Sequence, residues 1–340
     1  MRPGLARLAP ATLLLLLGAC GGARPTQSTS EPIEFEDEQA ARLAPPASPE
    51  VTEAESLIAQ GRAADAVPLL ERAAAASAGD VRARLDLGLA HEMLEDLPAA
   101  ERAYREAIAA QADFAEALNN LGALLRDTDR TEEGIAMLRR AVEARPAFAS
   151  AHLNLALALE DTGDAAGAEA EYRIVMRLAP RDPASRTNLA MILIERGDRE
   201  HALLELRQAL PLAEGSRADL AQIGNGLRRA GDADLAVRAL TEAIDAGEDP
   251  APPALRAELV LAEYASGQRE IAERHARDLA REAPGYPDIH WVLGNMLAAR
   301  EVWSQAAEEY AAFIRMAPDA PEAAEARARL EYVRGRSRGR

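Results

Sequence analysis

The chain has 340 residues, 48% of them hydrophobic and 28% charged, the balance of a folded chain and not of a disordered one. Aromatic residues make up only 4%, while Ala, Leu, Arg and Glu dominate, which favours closely packed helices over strands. The 39 Lys and Arg against 56 Asp and Glu give a net charge of −17, so nucleic acid is not an expected partner.

The N-terminus reads as an address. Arg2 and Arg7 form a short positive region, Leu8 to Leu17 is mostly apolar, and Gly18 and Ala19 precede Cys20, the order of a cleaved signal over residues 1–19. The apolar stretch is about half the ~20 residues a spanning helix needs. Leu17-Gly18-Ala19-Cys20 resembles the processing box of bacterial lipoproteins, in which lipid joins the cysteine sulfur and cleavage follows just before it. The resemblance implies lipid attachment at Cys20, the only cysteine, and a mature charge of −19 once Arg2 and Arg7 are gone. It also implies several acyl chains, which at about 0.8 kcal/mol per buried methylene make an anchor permanent. Gly21 stands where the family's inner-membrane retention signal usually places Asp, which implies the outer membrane and a chain facing the periplasm, or the cell surface if the organism has one membrane. The alternative is an ordinary secretory signal that ends near a cysteine.

Residues 20–46 form the lipidated N-terminus and a tether. They are rich in Gly, Pro, Ser and Thr, carry an acidic run from Glu31 to Glu38, and have little to bury. As a disordered coil of about 26 residues, the tether reaches roughly 28 Å.

From residue 47 a period of 34 sets in. Small residues recur at Gly88, Gly122, Ala156, Ala190 and Gly224, each preceded by an apolar one: Leu87, Leu121, Leu155, Leu189 and Ile223. A second small column runs Ala66, Ala100, Gly134, Ala168, Ala202, Ala236, and four residues on comes a larger one: Leu70, Tyr104, Leu138, Tyr172, Leu206, Leu240. After a two-residue insertion within Asp249–Pro253 the period resumes with Ala272 and Ala306. Small residues let two helix backbones approach while the larger neighbour fills the groove beside them, so each unit is a helical hairpin. Gly163-Asp164, Gly197-Asp198, Gly231-Asp232 and Gly267 stop one helix and start the next, and Pro146, Pro180, Pro284 and Pro318 end units.

These columns resemble the tetratricopeptide repeat. The fold class expected is all-α: an α-solenoid of about eight hairpins at 47–80, 81–114, 115–148, 149–182, 183–216, 217–250, 253–286 and 287–320. A capping helix is expected at 321–333, because a terminal repeat otherwise exposes its apolar face. Residues 334–340, with four Arg, are expected to be a disordered basic tail, able to touch anionic lipid or an acidic partner. Three departures stand out: a weak opening helix in the first unit, Pro68 inside its second helix, and Val260 where a small residue belongs.

In this family the first helix of each unit lines the inner wall, where peptides bind. A column of amides lies there: Asn120, Asn154, Asn188, then Gln222. A side-chain amide donates and accepts, so it can hold a peptide unit of any sequence. The column is similar to the asparagine ladder of the repeat domain attached to O-linked sugar transferases. Leu157 and Met191, one turn further on, offer apolar seats for peptide side chains, and Asp86 and Glu258 in the same column confine the ladder to the central units. The alternative is that these amides bond only to water or a neighbouring turn. His91, His152, His201, His275 and His290 read as scattered over different columns, so no metal site is expected. Without a phosphate loop, a nucleophile elbow or an acid–base pair, neither catalysis nor a cofactor is expected. The implied role is a membrane-anchored scaffold that binds protein or peptide segments of an envelope complex, of the kind that assists pilus secretins, outer-membrane protein insertion or cell-wall enzymes. An accessory or degenerate relative of a sugar transferase and a passive spacer are the alternatives.

Overall fold

The computed structural model describes residues 48–338 apart from Ala78 and Glu248. The signal, Cys20 and the tether lie outside these residues. Among them all regular structure is helical: α1 (Pro49–Ala59), α2 (Ala63–Ala76), α3 (Val81–Met93), α4 (Leu97–Ala110), α5 (Ala115–Asp127), α6 (Thr131–Ala144), α7 (Ala149–Asp161), α8 (Ala165–Leu178), α9 (Pro183–Glu195), α10 (Arg199–Ala209), α11 (Arg217–Ala230), α12 (Ala233–Asp245), α13 (Pro253–Ala265), α14 (Arg269–Glu282), α15 (Pro287–Ala299), α16 (Trp303–Met316) and α17 (Ala323–Arg338). No helix among them is long and apolar enough to cross a membrane.

The chain divides into two compact units whose boundary falls between Ile192 and Leu193, inside α9. In the first, α1 pairs with α2, α3 with α4, α5 with α6 and α7 with α8. In the second, α11 pairs with α12, α13 with α14 and α15 with α16, and α17 lies against α16.

The two sequence columns meet inside the hairpins. A Cβ on Gly122 would lie 2.5 Å from Leu138 Cγ, and one on Gly88 2.3 Å from Tyr104 Cε1. The same holds for Gly224 against Leu240 at 2.6 Å and Gly294 against Tyr310 at 2.9 Å. Each large partner is fully buried, so the missing side chain on one helix is the space its partner occupies. The seventh hairpin reverses the arrangement. Val260 and Ala276 share one buried core, so the larger residue has moved to the first helix and the smaller to the second, and the total volume is roughly kept.

The hairpin turns follow a column of their own. Gly61, Glu95, Asp129, Gly163, Gly197, Gly231, Gly267 and Glu301 all have φ between 59° and 106°, the left-handed region that reverses a helix and costs a side-chain-bearing residue about 1–2 kcal/mol. The next residue starts the second helix. Asp96, Asp164, Asp198 and Asp232 each accept a hydrogen bond from the backbone N–H three residues on, the stabilising cap of an N-terminus.

The last helix departs from expectation. It starts at Ala323 and runs to Arg338, so residues 334–338 are helical and not part of a loose tail. Tyr332 meets Trp303 edge-on at 6.0 Å between centroids, and the Arg336 guanidinium lies 5.5 Å over the same ring. These contacts give the residues around and beyond Val333 a surface to pack on.

Gly122→Ala gains about 1 kcal/mol of helix propensity but meets Leu138, an overpacking that costs about 1–3 kcal/mol. We expect net destabilisation in urea unfolding followed by circular dichroism. In a Leu138→Ala background the same change should cost less, with only the Gly134 carbonyl left at 3.1 Å from the added methyl; equal effects in both backgrounds would contradict the packing described.

Candidate functional site

The amide column sits on the first helices of the first unit. Asn120 on α5, Asn154 on α7 and Asn188 on α9 are each half-buried, as are Leu157 on α7 and Met191 on α9. Gln222 is half-buried on α11 of the second unit.

The structure joins two of the amides through a residue outside the column. Asn154 Nδ2 donates to Asn119 Oδ1 at 2.9 Å, and Asn119 Nδ2 donates to Asn120 Oδ1 at 3.1 Å. Asn119 is 7% exposed and bridges α5 to α7, so three side chains form one polar line across two hairpins. It has no amide at the 34-residue spacing, which is why a search by columns passes over it. An Asn side chain can make up to four hydrogen bonds, and these contacts engage one donor of Asn154 and one acceptor site of Asn120.

Two amides have a second neighbour. The buried hydroxyl of Tyr104, on the preceding hairpin, lies close to Asn120 and Glu92. Tyr172 stands in the same relation to Asn188, and its hydroxyl donates to Glu160 Oε2 at 2.8 Å. Burial pushes both phenols above their ordinary range. The column thus serves both the protein's own polar groups and the face it lines.

Asp86 occupies the column position ahead of Asn120. It is 8% exposed, and its Oδ2 is buried without a hydrogen-bond partner. Burial first, then the neighbouring Glu55 carboxylate, raises its pKa to about 7, against a lowering by Arg82. Burial likewise raises Glu92 to about 7. Both are carboxyls whose neutral form the fold prefers.

The histidines correct the sequence reading. Once the two-residue insertion is counted, His152 and His290 share one column, and each faces a Glu and a backbone carbonyl. Among the described residues no group of three or more His, Cys, Asp or Glu is placed to hold a metal ion. In the second unit the cap helix brings its own polar contact: the Tyr310 hydroxyl and Arg329 Nη1 both donate to buried Asn295 Oδ1, at 2.7 and 2.9 Å.

A carboxyl raised in the folded state holds its proton more tightly there than in the unfolded chain. Its contribution is complete below the unfolded value near 4 and is lost as pH rises through the folded value near 7. Asp86→Asn keeps the shape without the charge. It should stabilise the protein by about 1–3 kcal/mol at about pH 8 and change little at about pH 4; urea unfolding at both pH values checks this, and equal effects would contradict the burial assigned.

The tetratricopeptide repeat family model matches residues 51–115, 94–147, 120–183 and 153–217. No curated protein matches the chain in sequence. Among solved structures, a chain of the APC/C hetero-tetramer Cut9–Hcn1 is 13% identical with a TM-score of 0.57, over 84% of this chain and 55% of that one; the present chain therefore spans about half the length of that relative. PilW, a widely conserved type IV pilus biogenesis factor, is 21% identical with a TM-score of 0.50, over 57% of this chain and 90% of that one. PilF of Pseudomonas aeruginosa is 19% identical with a TM-score of 0.51, over 57% and 88%. At these identities the likeness is one of fold. With the family model on residues 51–217 and hairpins of the same make continuing to Met316, the fold is an array of helical hairpins of the tetratricopeptide type.

Proposed function

We propose that the protein is a scaffold of a bacterial envelope, anchored through lipid on Cys20 in the outer membrane and facing the periplasm, that holds an extended segment of a partner protein. Asn120, Asn154 and Asn188 grip the segment's peptide units, and Leu157 and Met191 seat its apolar side chains. The role is one of binding and not of catalysis.

The observation that carries this reading is the polar line Asn120–Asn119–Asn154. It crosses two hairpins, its column members are half-buried and not sealed, and its amides keep unused donors and acceptors. A passive spacer has no need of such a line on one face. An extended peptide repeats its own amides every ~3.3 Å, so a row of fixed amides meets it without regard to sequence. The fold likeness to two pilus-biogenesis proteins is in keeping with an envelope machine as partner and does not choose the machine.

Replacing Asn120, Asn154 and Asn188 together by Ala should lower recovery of crosslinked partner from membranes on the order of tenfold, as expected for about 1.4 kcal/mol, with helical circular dichroism unchanged. Undiminished recovery would remove the amides from the binding role. Independently, Cys20→Ser should move the protein from the membrane fraction to the soluble one, and a variant that still sediments with membranes would overturn the anchor.

A further inference from the structure

His152 and His290 lie four 34-residue periods and two inserted residues apart, and the same step carries Pro146 to Pro284, Glu171 to Glu309 and Arg177 to Arg315. The structure builds the same arrangement twice, once in each unit. His152 on α7 is 6% exposed, with Nδ1 2.6 Å from Glu171 Oε2 on α8 and Nε2 3.1 Å from the Pro146 carbonyl between α6 and α7. His290 on α15 is 9% exposed, with Nδ1 2.6 Å from Glu309 Oε2 on α16 and Nε2 3.3 Å from the Pro284 carbonyl between α14 and α15.

The proton count follows from these distances. A neutral imidazole has one N–H and one lone pair, yet here both ring nitrogens face acceptors. A backbone carbonyl has no proton to give, so Nε2 must donate. Nδ1 and the carboxylate then meet at 2.6 Å only if a further proton lies between them, on whichever atom. Each cluster therefore holds one proton more than a neutral His beside a carboxylate, and that proton completes the tie among three elements: the helix of the His, its hairpin partner, and the connection that precedes them.

We propose that these two clusters are proton-held clasps that fix the connections at Pro146 and Pro284 to the hairpins that follow, and that loss of the shared proton as pH rises releases both connections while the hairpins stay formed. The deprotonated ring keeps Nδ1–H on the carboxylate, the stronger, charge-assisted bond. Its bare Nε2 then opposes the proline carbonyl, lone pair to lone pair, and that contact opens.

The net effect of the surrounding groups raises both rings. For His152, burial works against the charged ring, but the hydrogen bonds to Glu171 and the Pro146 carbonyl and the Glu171 charge outweigh it together with Arg177, and the ring holds its proton above the ordinary histidine value. Arg139, Arg140 and Glu143 lie in the last turns of neighbouring α6. For His290 the hydrogen bond to Glu309 leads, against burial and Arg315. Arg274, Arg277, Asp278 and Arg281 of α14 and Glu308 of α16 line the same recess. A raised histidine contributes fully below its unfolded value near 6.5 and loses that contribution as pH rises through the folded value.

NMR titration of the imidazoles in the full chain tests the idea without a variant. His152 and His290 should both titrate above 6.5, the unperturbed value. Over about pH 6 to about pH 9, amide exchange at Arg145, Ala147 and Phe148 and at Ala283, Gly285 and Tyr286, corrected for the intrinsic pH effect, should rise on the order of tenfold, while exchange within α7, α8, α15 and α16 does not. Glu171→Gln and Glu309→Gln should lower the titration of the facing His and flatten the exchange step at that connection only. Titration of either ring at or below 6.5, or corrected exchange that stays flat in the unaltered chain, would overturn the proposal.

Discussion

The contact on which the rest of this molecule depends is the close approach of two helices where one gives up its side chain. Gly122 opposite Leu138 sets the spacing of a hairpin, and with it the angle at which the next hairpin meets it. Because the Cβ is absent, Leu138 reaches the opposite backbone and becomes fully buried, a burial that contributes about 1.5–3 kcal/mol. No hairpin of this size folds alone on that sum. Stacking is what buries the second face of each helix, which is why the arrangement recurs along the chain, in either orientation: glycine or alanine opposite a large residue in most hairpins, Val260 with Ala276 in the seventh.

Such a core is made largely of Ala and Leu, and its polar members are few enough to follow individually. Where a phenol replaces the leucine, its hydroxyl needs a partner in a space built for methyl groups. Tyr172 finds Glu160 and Tyr310 finds Asn295, and in each case the partner lies on the first helix of the same hairpin. Leaving such a hydroxyl buried alone costs about 1–3 kcal/mol, more than the hydroxyl-free leucine would. Tyr172 and Tyr310 therefore tie polar residues to fixed places on the first helices of their hairpins, whereas the buried Tyr104 hydroxyl makes no such bond.

The regular part of this design was legible in the sequence because it is enforced identically at each repeat. The small and large columns, the Pro and Gly breaks and the second-helix starts at Asp164, Asp198 and Asp232 all stand in the structure where the 34-residue period puts them. The turn column was legible only in part: Glu95, Asp129 and Glu301 adopt the same left-handed backbone as the glycines without a glycine to announce it. The pairing of His152 with His290 was hidden by the two inserted residues, which shift the count but not the packing. The extension of α17 past Val333 was unreadable for another reason. It rests on Trp303 and Tyr332, two aromatic residues far apart in sequence whose meeting no local pattern encodes.

What distinguishes this array from any other of its kind cannot lie in the columns, since a column states what all hairpins share. It lies in residues that break the period at one place: Asn119, Asp86 and the two histidine clusters. Asn119 links amides that the period alone would leave isolated on successive hairpins, and a row of linked, oriented amides loses less entropy on meeting a peptide than the same groups free to turn. Asp86 ends that row on the N-terminal side with a carboxyl whose pKa burial raises to about 7. An incoming peptide amine or guanidinium would favour its charged form, whereas a peptide carboxylate would not. On the binding role proposed above, the direction of a held segment would be set at this end, by which of its termini or side chains can stand beside Asp86.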